Sequence, residues 1–218
     1  MPADDPQAQV RASRQNYDLG ALDESGVPPD PFALFQAWLE DALASPEIEA
    51  NAMAVASVNP GAHPSLRMVL LRGYDERGFV FFTNYESRKG LELERNASAA
   101  LLWYWGTLQR QIRIEGVVER IAAAESDDYF AQRPRGHRIS AWASPQSHAV
   151  ASRADLEARV AEAERRFESR EVERPPHWGG YRVVPHTFEF WQGRRNRIHD
   201  RVHYQREAPT WKITRLAP

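Results

Sequence analysis

The sequence predicts a mainly β protein with peripheral helices, an α+β chain built around one β-barrel, and three observations predict it. Over residues 52 to about 120, apolar residues recur at the two-residue period of strands. Those segments are short and joined by tight-turn sequences, the pattern of an antiparallel sheet or barrel. After a helical block over residues 123–170, strand character returns over residues 181–216.

In chain order, residues 1–29 mix charged and small side chains with Gly20, Gly26, Pro28 and Pro29, and read as a loose arm. Asp30-Pro31 starts a helix, with Asp as N-cap and Pro at the first helical position. Phe32, Phe35, Trp38, Leu39 and Ala42 follow at helical spacing and form one core-facing stripe. Residues 52–58 make the first strand, closed by the turn Asn59-Pro60-Gly61. Residues 65–74 make the second, and Asp75-Glu76-Arg77-Gly78 links it to a third over 79–83. A short helix over 87–96 interrupts before two more strands, 99–105 and 109–119, joined by a turn containing Gly106. The helical block is broken at Pro134 and Pro145. Its last helix opens with the capping box Ser152-Arg153-Ala154-Asp155 and carries Leu156, Val160, Ala163 and Phe167 on one face. Strands over 181–184, 187–191, 201–205 and 211–216 complete the chain. With no internal repeat, low-complexity tract or interdomain linker, residues 30–218 are expected to form a single domain behind the arm.

Composition narrows the function. The chain is 42% hydrophobic and 27% charged, ordinary values for a globular protein. No apolar run approaches the ~20 residues that span a bilayer. The start Met1-Pro2-Ala3-Asp4-Asp5-Pro6 is acidic and polar rather than a secretory signal. A cytoplasmic protein with no membrane partner is the expectation. The absence of cysteine excludes disulfides and thiolate metal sites, and no zinc-type histidine cluster, P-loop or Gly-x-Gly-x-x-Gly motif stands after a strand, so no metal is expected. A net charge of −2 argues against a general nucleic-acid binder. Lysine occurs only at Lys89 and Lys212, so the remaining 28 − 2 = 26 cations are arginines.

Several segments gather groups suited to anions. Trp191 to Arg201 packs four arginines, His199 and Asp200 into eleven residues after a strand. Guanidinium forks hold phosphate or carboxylate oxygens in pairs, and an indole offers a stacking face for a planar ring. The same composition suits a solvent-exposed turn, and the segment alone does not choose. Arg67 and Arg72 bookend an apolar strand and, five residues apart, point to opposite faces. In Ser87-Arg88-Lys89, Ser87 suits an N-cap, yet two cations in the first turn oppose the helix dipole. A bound anion would turn that conflict into convergence. Tyr129 and Arg133 are spaced to share a helix face. Gln146-Ser147 supplies small polar donors in a loop. Gln111, Arg113 and Glu115 make a polar strand face against Ile112 and Ile114, which is open to solvent, to a second subunit or to a ligand.

Taken in order, these segments resemble the pyridoxine/pyridoxamine 5′-phosphate oxidase family over essentially the whole chain. The matching pieces are the strand Arg67 to Leu71, the run Phe82-Thr83-Asn84-Tyr85-Glu86-Ser87-Arg88-Lys89, Arg133-Pro134-Arg135, Gln146-Ser147, Trp178-Gly179-Gly180, Phe190-Trp191-Gln192-Gly193 and Arg197-Ile198-His199-Asp200-Arg201. The resemblance implies an FMN-binding split β-barrel that works as a homodimer with FMN at the interface. It implies that Arg67, Arg88 and Lys89 hold the FMN phosphate, and that Met68, Val69, Leu70, Leu71, Arg72, Phe82 and Thr83 line the cofactor. Gln111, Gln146, Ser147, Trp191 and Arg201 would complete the cofactor site. On the substrate side it implies a phosphate clamp of Arg72, Tyr129, Arg133 and His137, with Arg197 and His199 as catalytic residues over the pyridine ring. Arg14 and Tyr17 match a mobile arm covering the site. The implied reaction oxidises phosphorylated B6 vitamers to pyridoxal 5′-phosphate, with O2 as acceptor and H2O2 released. Two positions depart from the family pattern, Arg72 for its usual lysine and His137 for its usual serine, both in the clamp. They keep open a flavin oxidase of phenazine-pathway type with another planar substrate. A non-catalytic flavin or haem carrier on the same barrel is the further alternative.

Overall fold

The computed structural model describes residues 5–218. Within the segment expected as a loose arm, Asp5 caps a short helix, α1 (Pro6–Ala12), and Leu22 is buried in the core. The first four residues of that arm lie outside the described residues. Helix α2 (Pro31–Ala44) starts as its sequence dictates. Asp30 accepts the Phe32 N–H at 3.0 Å, and Pro31 occupies the first turn, where its missing N–H is not needed.

Among the described residues, nine strands form one antiparallel sheet. They are β1 (Ala52–Val58), β2 (Pro64–Leu70), β3 (Gly73–Asp75), β4 (Gly78–Asn84), β5 (Ser98–Trp105), β6 (Arg110–Arg120), β7 (Trp178–Gln192), β8 (Asp200–Glu207) and β9 (Thr210–Arg215). The order is β2-β1-β5-β6-β7-β4-β3, with β8 on β7 and β9 on β8. The sheet curls until β2 returns beside β4. Helix α3 (Arg88–Arg95) sits against β1, while α4 (Ala123–Gln132), α5 (Arg135–Ala143) and α6 (Arg153–Arg166) pack together against the start of β7.

The strands depart from the expected pattern at two places. Residues 65–74 are not one strand: β2 ends at Leu70 and the chain crosses to a new partner. The Leu71 N–H still bonds Asn51 of the β1 side, whereas the Arg72 N–H bonds Val80 of β4, both at 2.9 Å. Arg72 therefore sits in a crossover and not on the far face of Arg67's strand. Conversely, the strands expected over 181–184 and 187–191 are one element of 15 residues. Pro185 has no N–H to donate, and the chain answers with a bulge: the register against β6 slips between Glu115 and Gly116. Gly116 is required at that point, because a Cβ there would lie 2.3 Å from the Val184 carbonyl oxygen. The N-terminal part of β7 pairs with β4 and the C-terminal part with β8, while β6 runs along both.

The core has two centres. In the larger, the α2 stripe meets the concave face of the sheet. Phe35 packs edge-on to Phe79 at 4.8 Å and to Trp103 at 5.2 Å, and Trp38 packs on Phe190 at 5.3 Å. In the smaller, Phe130, Ile139, Ala163 and Phe167 gather beneath Trp178 at the head of β7. Among the described residues, no helix is long and apolar enough to cross a membrane.

Candidate functional site

A cleft of about 710 Å³ opens between the β2 and β4 edge of the sheet and the α4 and α5 helices. Its lining includes Lys89, Arg72 and Arg133, with His137, and contains no carboxylate among the described residues. Excess positive charge in a concavity without a counter-charge is the electrostatic signature of an anion site. Of the residues expected to hold cofactor or substrate, Met68, Val69, Leu70, Arg72, Phe82, Thr83, Lys89, Tyr129, Arg133, His137 and Gln146 all line this cleft. Asn84, Gln132, Ser140 and Ser144 join them; Asn84 lies within the run Phe82 to Lys89, whereas the other three lie on no motif and only the fold brings them in.

Lys89 is the central cation. It projects from the first turn of α3, capped by Ser87, whose hydroxyl accepts the Gly90 N–H. Its side chain is 9% exposed and donates to Thr83 Oγ1 and Gln146 Oε1, both at 3.0 Å. Neither acceptor carries charge. Burial, with Arg67 nearby adding to the effect, pushes the amine down from 10.5 to about 8. A buried ammonium without an anionic partner is costly unless a ligand supplies one.

Arg133 is a second cation of the cleft. The sequence puts it on a face of α4 with Tyr129; the structure makes it the C-cap, with extended backbone, so its side chain turns into the cleft mouth. Its guanidinium lies 4.6 Å over the Trp178 ring, and Nη1 is buried with no hydrogen-bond partner. Burial holds its pKa below the ordinary arginine value, and Arg72 lowers it further. Tyr129 stacks on Phe82 at 3.9 Å between ring centres with planes 9° apart, and Phe82 stacks on Trp178 at 5.3 Å. These parallel rings give the cleft a flat wall.

Arg67 and Arg88 sit behind Lys89 and share one carboxylate that sequence reasoning missed. Glu92, 4% exposed, accepts from Arg88 Nε at 2.9 Å and from Arg67 Nη2 at 3.2 Å. The legible signal was the i,i+4 spacing of Arg88 and Glu92 on one helix. Leu71 is buried in the larger core and does not line the cleft, and Ser147, at φ 71°, lines a neighbouring groove of about 540 Å³ with Arg88.

The other expected residues form a second cluster on β6, β7 and β8. Gln111, Trp191 and Arg201 are cross-strand partners, so their side chains emerge on one face. Arg201 is engaged by Glu189 through Nε at 2.9 Å and Nη2 at 3.0 Å. His199 lies 4.7 Å from the Trp191 ring, and Tyr17 packs on both at 5.8 and 5.7 Å. Gly193 makes room for Tyr17, since a Cβ there would come within 2.7 Å of the Tyr17 Cβ. The backbone N–H of Arg194 donates to His199 Nδ1 at 3.1 Å. In the neutral ring that bond leaves the proton on Nε2. Burial depresses the His199 pKa and the Arg197 charge depresses it further. Arg14 and Arg197 line a groove of about 590 Å³ beside Tyr17. The arm is tied down by Gln109, whose Oε1 accepts the Asp18 and Leu19 N–H groups, and by Asp200, which accepts the Leu22 N–H. No residue lines both this groove and the 710 Å³ cleft.

The chain matches two family models. Residues 39–167 match the pyridoxamine 5′-phosphate oxidase model, and residues 178–218 match the pyridoxine 5′-phosphate oxidase C-terminal dimerisation region. It is 55% identical over 205 residues to a pyridoxine/pyridoxamine 5′-phosphate oxidase of Rubrobacter xylanophilus, covering 94% of each chain. Over 208 residues it is 55% identical to the Burkholderia thailandensis protein of the same name, covering 94% of this chain and 97% of that one. Among solved structures, PhzG from Burkholderia lata, in complex with tetrahydrophenazine-1-carboxylic acid, superposes with a TM-score of 0.87 at 32% identity, covering 94% of this chain and 100% of that one. A pyridoxamine 5′-phosphate oxidase-related, FMN-binding protein of Nostoc punctiforme shares the fold, with a TM-score of 0.70 at 18% identity over 88% of this chain and 100% of that one. By both its sequence and its curled antiparallel sheet, the chain belongs to the pyridoxamine 5′-phosphate oxidase family.

Proposed function

We propose that the protein is an FMN-dependent oxidase that converts pyridoxamine 5′-phosphate and pyridoxine 5′-phosphate to pyridoxal 5′-phosphate, with O2 as acceptor and H2O2 released. The observation that carries this reading is the cleft lined by Lys89, Arg72 and Arg133 with no carboxylate. Two cations of the cleft suit two phosphates. Among the described residues, Lys89 bonds no anionic partner and Arg133 Nη1 has no hydrogen-bond partner. The volume falls within the ~300–1,000 Å³ of small-molecule sites.

FMN fits the Lys89 end, with Arg67 and Arg88 behind it, Thr83 and Gln146 beside it, and residues 68–72 along its length. When bound, it supplies the two-electron acceptor that no side chain of this protein provides. Arg72, Tyr129, Arg133 and His137 take the substrate phosphate, which fixes the reacting carbon in place and so gains rate through proximity. Arg197 and His199 serve as the catalytic residues over the substrate ring. His199, neutral and protonated at Nε2, donates a hydrogen bond, and Arg197 steadies negative charge.

Neither residue lines the cleft within one chain, where Arg197 lines a separate groove, and the match of residues 178–218 to a dimerisation region supports their delivery by a second copy. A homodimer would bring Gln111, Trp191, Arg197, His199 and Arg201 of one copy to the cleft of the other. The segment carrying Arg14 and Tyr17 would then act as an arm over the substrate. Purified protein should be yellow with a flavin spectrum, and should form aldehyde and peroxide from pyridoxamine 5′-phosphate. Flavin binding without aldehyde would instead favour a phenazine-type substrate, the reading that the likeness to PhzG keeps in view.

A further inference from the structure

Glu92 lies outside the cleft lining, yet it joins three elements behind the Lys89 end. From α3, its Oε2 accepts from Ser57 of β1 at 2.6 Å, from the hydroxyl of Ser65 and from Arg67 Nη2, both of β2, and its Oε1 accepts from Arg88 Nε. Arg67 is fixed further by bonds to the Val55 carbonyl at 3.1 Å and to the Ser57 and Ser65 hydroxyls at 2.5 Å. A carboxylate this deeply buried survives only when its lone pairs are filled and its charge is matched. Here both conditions hold. The bond to Arg88 uses Nε alone, so the two Nη groups of Arg88 owe nothing to Glu92.

We propose that Glu92 is the positioning residue of the flavin-phosphate end of the site, one carboxylate that holds Arg67 and Arg88 at fixed orientation to each other and to Lys89 on the same helix. The inference rests on the FMN reading above. Without Glu92, two guanidinium groups would face each other with no counter-charge and would separate, and α3 would lose this tie to β1 and β2. Fixed donors are the condition for tight phosphate recognition.

Two roles for a buried acid near a phosphate predict opposite signs. If Glu92 merely dilutes positive charge, removing it strengthens FMN binding. If it orients the cations, removing it weakens binding although the local charge becomes more positive. The experiment is Glu92→Gln in the full chain, with dissociation constants of FMN and of riboflavin, which lacks the phosphate, read from quenching of flavin fluorescence. The expected result is FMN weakened about tenfold or more and riboflavin unchanged. FMN binding that is unchanged or tighter overturns the inference, and equal weakening of both flavins overturns it too, because that marks a general loss of structure. Wild-type protein with no preference for FMN over riboflavin overturns the FMN reading together with it. Should Glu92→Gln fail to fold, Ser65→Ala removes one donor to the carboxylate and one acceptor of Arg67, and must shift FMN in the same direction, again without riboflavin.

Discussion

Replacing Lys89 by methionine should make the flavin-free protein more stable while weakening its hold on FMN. The buried amine has only Thr83 and Gln146 as acceptors, and its pKa falls from 10.5 to about 8, through burial first and Arg67 second. At about 1.4 kcal/mol per pH unit, that drop corresponds to roughly 3 kcal/mol held against the charged form in the folded state. Methionine removes this penalty. It forfeits the bond to buried Thr83, about 1 kcal/mol, whereas Gln146 is exposed and turns to water. The net expectation is a gain of about 2 kcal/mol at pH 7, or roughly 4–8 °C in Tm for a chain of this size. The pH dependence has a fixed sign. Because the folded pKa lies below the unfolded one, the wild-type penalty is full below pH 8, where both states carry the charge. It shrinks as pH rises and is gone above 10.5, where neither does. Thermal unfolding of both flavin-free proteins at pH 7 and pH 10 should therefore show the advantage of the variant narrowing with pH. FMN affinity should fall about 10- to 100-fold, the loss of one charge-assisted contact. A variant less stable than wild type at pH 7, or an advantage equal at both pH values, would refute the reasoning.

Arg133→Met should raise KM for pyridoxamine 5′-phosphate by about 10- to 100-fold and leave FMN affinity alone, because the orphaned Nη1 is assigned to the substrate phosphate. If KM for unphosphorylated pyridoxamine rises as much, the assignment is wrong. Arg197→Met should sharply lower turnover with FMN still bound, and unchanged turnover would refute its catalytic role. The same substitution should raise the His199 pKa, since a neighbouring cation now helps to depress it. Histidine NMR titration reads this directly, and a fixed pKa would contradict it.

Periodicity and turn chemistry carried most of the fold. Asp30-Pro31 capped α2 as written, and the alternation of Gln111, Arg113 and Glu115 with fully buried Ile112 and Ile114 located β6 and its core face. What failed were two breaks in pattern. The apolar run through Leu71 hid a crossover, because a buried strand and a buried connection are equally apolar. Pro185 suggested a strand end where a bulge let the strand continue. The site was legible where a residue type contradicted its surroundings, as Lys89 does in the first turn of α3. Family resemblance groups Arg67 and Arg88 with Lys89, but does not name the acid that binds the two arginines. Glu92 reads in sequence as one more helical surface glutamate, and its burial follows only from packing α3 on β1.

Strand β7 carries Trp178, part of the cleft wall, at one end and Trp191 at the other. At about 3.3 Å per residue, those indoles stand roughly 40 Å apart along a rod with hydrogen-bonded neighbours on both edges. No vitamin-sized molecule bridges that span, and the rod cannot fold back to shorten it. If both ends are needed to enclose a flavin, an isolated chain is an incomplete container, and dilution becomes an inhibitor. Specific activity would then fall with protein concentration, and the released cofactor would appear in solution as subunits part.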